Sequence, residues 1–116
     1  MRLLLPLLLL FLVTCTSGTL DTPSRLRTYL RVVNNNWLEQ VVYANCGSRI
    51  RIGVARGINE TLLRIPEECV GREVFITTDP IGSSEISKSD ALAVERGDVL
   101  DVVVPAIYNG YLFLSR

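Results

Sequence analysis

Three cysteines, a scattering of carboxylates and a run of arginines are what this 116-residue chain offers for chemistry, and histidine is missing altogether. Without an imidazole the usual general base is gone, and with it the serine and cysteine triads built on histidine and the commonest metal ligand. Carboxylate hydrolysis needs only two facing carboxyls, and Glu67, Glu68, Asp79, Asp98 and Asp101 are available. But Glu67 and Glu68 are neighbours on a polar stretch, and Asp98 and Asp101 flank the start of a strand, so all five read as solvated surface groups. Asp79 with Ser83, Ser84 and Glu85 is too sparse an oxygen set for calcium. Gly53-Val54-Ala55-Arg56-Gly57 lacks the lysine and the spacing of a phosphate loop. The sequence therefore predicts a protein that is not an enzyme, with no catalytic residues, no metal and no cofactor.

What remains is recognition. Arg25, Arg27, Arg31, Arg49, Arg51, Arg56, Arg64 and Arg72 lie in the first half of the domain, whereas Glu73, Asp79, Glu85, Asp90, Glu95, Asp98 and Asp101 dominate the second. Cross-strand pairing on solvated faces accounts for such segregation, at about 0.2–1 kcal/mol per pair. The alternative is a polar surface for an acidic partner or for anionic headgroups. Arg49 and Arg51 fall on one face of a strand, and Trp37, just after an asparagine turn, is the aromatic expected to reach solvent. These three form the candidate partner-binding face. Tyr29, Tyr43, Tyr108, Tyr111 and Phe113 are expected in the core or as cross-strand partners. Twelve basic against twelve acidic side chains argue against nucleic acid as a partner, since that attraction needs clustered cations.

The compartment is set by the N-terminus, where Arg2 precedes the apolar run Leu3-Leu4-Leu5-Pro6-Leu7-Leu8-Leu9-Leu10-Phe11-Leu12-Val13 and small polar residues follow. That is the layout of an export signal, and the run falls short of the ~20 apolar residues of a membrane-spanning helix. Its end, Leu12-Val13-Thr14-Cys15, resembles the lipobox of bacterial lipoproteins, with Thr14 where that family prefers Gly, Ala or Ser. The resemblance implies that residues 1–14 are removed as a signal peptide and that Cys15 carries a diacylglyceryl group. The mature chain would then be anchored in a membrane of the cell envelope, on its periplasmic or extracellular face. The alternative is an ordinary secretory signal cut after Ser17 or Gly18. Either way the protein is exported. Residues 15–24 follow as a small, polar tether able to reach about 30 Å.

Export makes a disulfide permissible. With Cys15 lipidated or removed, Cys46 and Cys69 are left as an even pair, and a bridge between them is the natural inference, against the alternative of two reduced, buried thiols.

Residues 25–116 are expected to be one β domain, because short alternating runs of Val, Ile, Tyr and Leu are broken by turn residues throughout. Strands are predicted from Arg27 to Val33, with Thr28, Leu30 and Val32 inward, from Trp37 to Asn45, and from Arg49 to Arg56. The last has the most regular alternation, Ile50, Ile52 and Val54 inward and Arg49 and Arg51 outward. Further strands are predicted from Glu60 to Ile65, Glu73 to Thr78, Ala91 to Glu95, Val99 to Val104 and Ile107 to Leu114. The valine-rich Val99 run is expected to be buried between sheets. Asn34-Asn35-Asn36, Gly57-Ile58-Asn59 and Arg96-Gly97-Asp98 read as turns. Seven or eight short strands predict an all-β fold, a small antiparallel β-sandwich of immunoglobulin-like or transthyretin-like type, with a small open barrel as the alternative. The function expected is that of a lipid-anchored interaction or structural module with an envelope protein as its partner. The second reading is an exported binder of a small ligand or glycan.

Overall fold

Nine strands account for most of residues 26–116, the part of the chain that the computed structural model describes. The signal segment 1–14, Cys15 and the tether 15–24 lie outside the described residues. The strands are β1 (Tyr29–Asn34), β2 (Gln40–Asn45), β3 (Arg49–Ala55), β4 (Asn59–Arg64), β5 (Glu73–Pro80), β6 (Ser87–Ser89), β7 (Leu92–Ala93), β8 (Val99–Val104) and β9 (Tyr111–Ser115). One 3-10 turn, Glu67–Cys69, interrupts them.

The strands form one mixed sheet in the order β3-β2-β5-β6-β9-β8-β1-β4, with β7 added to β5. Strand β9 divides its hydrogen bonds: Tyr111 and Leu112 pair with Lys88 and Ser89 of β6, whereas Phe113, Leu114 and Ser115 pair with Val103, Val102 and Asp101 of β8. The sheet curls there, so that the apolar alternate residues of its two halves face each other. Leu30 and Val32 of β1 and Leu100, Val102 and Val104 of β8 meet Val42 and Ala44 of β2 and Val74 and Ile76 of β5, all fully buried. The outer edges, β3 and β4, come together where Gly53 lies against Leu63; a Cβ at Gly53 would stand 2.7 Å from Leu63 Cδ2. The sheet is thereby nearly closed into a barrel.

The all-β class expected from the sequence is observed, but the purely antiparallel pattern is not. Strands β1 and β8 are parallel, as are β6 and β9. Tight turns dictate antiparallel neighbours only for strands consecutive in sequence. Between β1 and β8 the direction is decided by which edge is left to cover, and turn residues carry no sign of it.

Four local expectations are corrected. The register of β3 slips against β2, since Val42 opposes Gly53 while Tyr43 opposes Arg51. Ile52 is the extra residue of this bulge. Ile50 and Ile52 pack on the core as expected, but beyond the bulge the parity reverses: Val54 is half-buried outside the core cluster and Ala55 is fully buried instead. The Val99 run is not buried on both faces, since it alternates Leu100, Val102 and Val104 inward with Val99 42 % exposed. The final strand starts at Tyr111 rather than Ile107, and the expected Ala91 strand shrinks to Leu92–Ala93.

The chain enters at the end of the sheet where Tyr29 N donates to Asp98 O and Ile65 N to Thr28 O. At this same end Cys46 and Cys69 are bridged, their Cα atoms 5.4 Å apart, and Arg72 Nη1 donates to Cys46 O. Because the strands alternate in direction from there, the loops 35–39, 56–58, 81–86 and 105–110 all gather at the opposite end.

Candidate functional site

At that loop end the usual distribution of polarity is turned inside out. Asn34 is buried, and its Nδ2 donates to Leu38 O at 2.9 Å and Arg56 O at 3.1 Å while its Oδ1 accepts from Asn36 N at 3.0 Å. Asn36, also buried, donates to Ala106 O and accepts from Leu38 N and from the Tyr108 hydroxyl. Gln40 Nε2 donates in turn to Tyr108 Oη at 2.8 Å and to Leu38 O. Three of the four loops are therefore tied to each other by buried side-chain amides, which satisfy loop carbonyls that strand pairing cannot reach. The asparagines expected to make a turn do so, but as its interior. Below them the interior stays polar: Gln40 Oε1, Thr78 Oγ1 and Ser87 Oγ are buried with no protein partner, each at a desolvation cost that native interiors seldom leave unmet.

The apolar residues of these loops point outward. Trp37 is 84 % and Ile107 83 % exposed, with Ile58, Ile81 and Ile86 each about half exposed. Their backbones are held. Ile58 N donates to Asn36 O and Ile81 N to Glu39 O, and Gly57 approaches the Trp37 carbonyl so closely that any Cβ there would clash with it. Ile58 has a φ of 53°, the left-handed region that a β-branched side chain enters only with strain. Within the turn expected at Gly57-Ile58-Asn59, Gly57 supplies room and Ile58 takes the unfavourable angle. Beside this end the Tyr111 hydroxyl donates to Asp90 Oδ2 at 3.2 Å, and that hydrogen bond, aided by desolvation and the carboxylate's charge, raises the phenol above its ordinary pKa.

A second surface lies on the outside of β3, β2, β5 and β6. Cross-strand rows place Arg51 beside Tyr43, Thr77 and Lys88, and Arg49 beside Asn45 and Phe75. The Arg49 guanidinium lies over the Tyr43 ring, 3.7 Å from its centroid, and the Lys88 ammonium lies 4.5 Å from that of Phe75. Asn45, Gly47, Ser48, Arg49 and Phe75 line a shallow cleft of about 370 Å³.

Of the predicted partner-binding residues, Arg49 and Arg51 share this face and Trp37 does not join them. Arg49 opposes Asn45 at the disulfide end of β3, whereas Trp37 lies past the other end, against Gly57. A seven-residue strand intervenes, roughly 20 Å at the usual rise. Cys46 and Cys69 form the disulfide, and Cys15 lies outside the described residues. The carboxylates weighed for catalysis are dispersed: Asp101 pairs with Arg31, Glu67 with Arg96 and Asp98 with Arg116. Among the described residues no three Cys, Asp or Glu stand together as a metal set. Sequence reasoning missed Ile58 and Ile107, which it assigned to a turn and to a strand. The signal for Ile107 was Pro105 and the Asn109-Gly110 pair, which bracket residues 106–108 as loop.

No family model matches this chain, and no curated protein does. The chain is similar in structure to a protein from Eubacterium rectale solved by NMR, with a TM-score of 0.50 at 9 % identity over 78 % of this chain and 88 % of that one. At that identity the likeness is one of fold.

Proposed function

We propose that this is a non-catalytic, exported interaction module, anchored in the cell envelope through a lipid on Cys15, that holds its partner at the loop end. The observation that carries the reading is the set of exposed Trp37, Ile58 and Ile107 on loops fixed from within, at the end of the domain opposite to the one where the tether enters. Surface indole and isoleucine side chains this exposed are a cost in water, and a rigid backbone presents them without further ordering entropy on binding. Aromatic anchors of this kind dominate contact energies. The Cys46–Cys69 bridge supports an oxidising compartment. The finer architecture belongs to the same reading: a two-layer sandwich rather than a closed barrel, supported by the lack of strand pairing between β3 and β4. A second reading, capture of a small ligand or glycan, is favoured by the cleft beside Arg49.

A photoreactive amino acid at position 37, compared with one at position 68, tests the first reading in intact cells. The expected result is a discrete crosslinked species from position 37 alone, suppressed by added wild-type domain but not by the Trp37→Ala domain, whose stability should differ by less than about 0.5 kcal/mol. Crosslinking from neither position, or equally from both, rejects it.

A further inference from the structure

The arginines that pair with acids in this domain are Arg31, Arg96 and Arg116. Among the described residues no carboxylate lies within ion-pair distance of Arg49, Arg51 or Lys88, although the chain has as many acids as bases. Two of these cations are held by rings instead. Arg49 lies on Tyr43 and Lys88 on Phe75, and Tyr43 and Phe75 are diagonal neighbours on adjacent strands, a spacing of roughly 7–8 Å. A ring fixes a cation through its quadrupole without neutralising it, so the charge stays available to an anion from outside. The cleft opens where these groups converge: Arg49 and Phe75 form its sides, and Asn45 and Ser48 add an amide and a hydroxyl. The Asn45 amide is oriented by Nδ2 bonds to Phe75 O and Thr77 Oγ1. A second guanidinium borders it, since Arg72 Nη1 stands 3.1 Å from where a Cβ on Gly47 would be. The acids on this face, Glu73 and Asp79, sit on β5 two residues before Phe75 and two after Thr77 and do not line the cleft.

We infer that this cleft binds the anionic groups of an acidic polysaccharide, with Arg49 meeting one carboxylate or sulfate in the cleft, Lys88 on the far side of the lining Phe75 ring meeting the next, and Asn45 and Ser48 contacting neighbouring hydroxyls. The inference rests on the second reading, ligand capture, and is independent of docking at the loop end. An open cleft on the outer face of the sheet admits a polymer passing through, and planar guanidinium with a mobile ammonium suits repeated single charges better than one compact multivalent ion.

Affinity electrophoresis of the purified domain in gels containing polygalacturonate, dextran sulfate or neutral dextran tests this. Retardation by at least one anionic polymer and none by dextran is expected, and which of the two retards assigns carboxylate or sulfate. Arg49→Ala with Lys88→Ala should abolish it, whereas Arg27→Ala with Arg64→Ala, the same change of charge at exposed positions away from the cleft, should retain it. Tyr43→Leu, which keeps every charge but removes the ring under Arg49, should weaken retardation several-fold. No retardation of the wild-type domain at low salt, or equal loss in both double variants, overturns the inference. Because Trp37→Ala leaves the cleft intact, it should bind the polymer normally, so failure of the loop-end reading and failure of this one are separable.

Discussion

The two ends of this domain are built on opposite principles. Where the chain enters, the loops are held by a covalent bridge between two buried cysteines, and they carry exposed ion pairs such as Arg96 with Glu67. At the far end no covalent bond ties the loops. Asn34, Asn36, Gln40 and Tyr108 hold them from the interior, and the apolar side chains that would ordinarily do so face water. Fixing loops with amides costs desolvation that apolar packing would not, and it frees Trp37, Ile58 and Ile107 for external contact. The difference teaches where to look for function, at the end whose apolar groups are exposed on loops held from within.

The largest effect should come from opening the covalent end. Replacing Cys46 and Cys69 by alanine together releases a loop with a sequence separation of 23, and the chain-entropy account puts the loss at about 3 kcal/mol, measured by urea unfolding. If the loop end is independent, iodide quenching of Trp37, the sole tryptophan, should be unchanged in the folded variant. A change in quenching would show that the two ends are coupled and break the comparison.

Removing one amide at the other end should cost less but do more there. Asn34→Ala strips the donor from the Arg56 carbonyl, one of two donors from the Leu38 carbonyl and the acceptor from Asn36 N, so a loss of about 2 kcal/mol is expected from groups left buried and unpaired. Amide hydrogen exchange should quicken at Leu38 and Ile58 while remaining slow at Cys46. Uniform exchange across both ends would mean that the network has no local role.

Much of this was legible in the chain. The inward Thr28, Leu30 and Val32, the outward Arg49 and Arg51, the disulfide and the exposure of Trp37 all follow from period-two alternation, cysteine arithmetic and turn chemistry. What was not legible depends on contacts distant in sequence. Gly53 reads as an ordinary member of the outward set of its strand, and only the approach of Leu63 across the closing edge gives it a purpose. The Ile52 bulge leaves no mark in composition, so Val54 was assigned to the wrong side. The amide network is invisible for the same reason: Asn36 reaches Ala106 and Tyr108 across some seventy residues, and an asparagine triplet looks the same whether its side chains face water or one another.

The smallest effect should have the opposite sign, and it asks whether the loop end gives up stability for its surface. Ile58 holds a φ of 53° while its side chain is 53 % exposed, so little burial offsets the strain. Glycine takes that conformation freely, and the left-handed penalty for a residue with a Cβ is about 1–2 kcal/mol. The greater entropy that glycine loses on folding takes back part of this, leaving an expected gain of about 0.5–1 kcal/mol for Ile58→Gly in urea unfolding. The same substitution removes one of the apolar side chains exposed at this end, so competition against the crosslink from position 37 should weaken. Greater stability with weaker contact is the signature of a strained residue retained for binding. A stability loss would mean that Ile58 packs more tightly in solution than its exposure implies, and undiminished competition would place the contact on Trp37 and Ile107 alone.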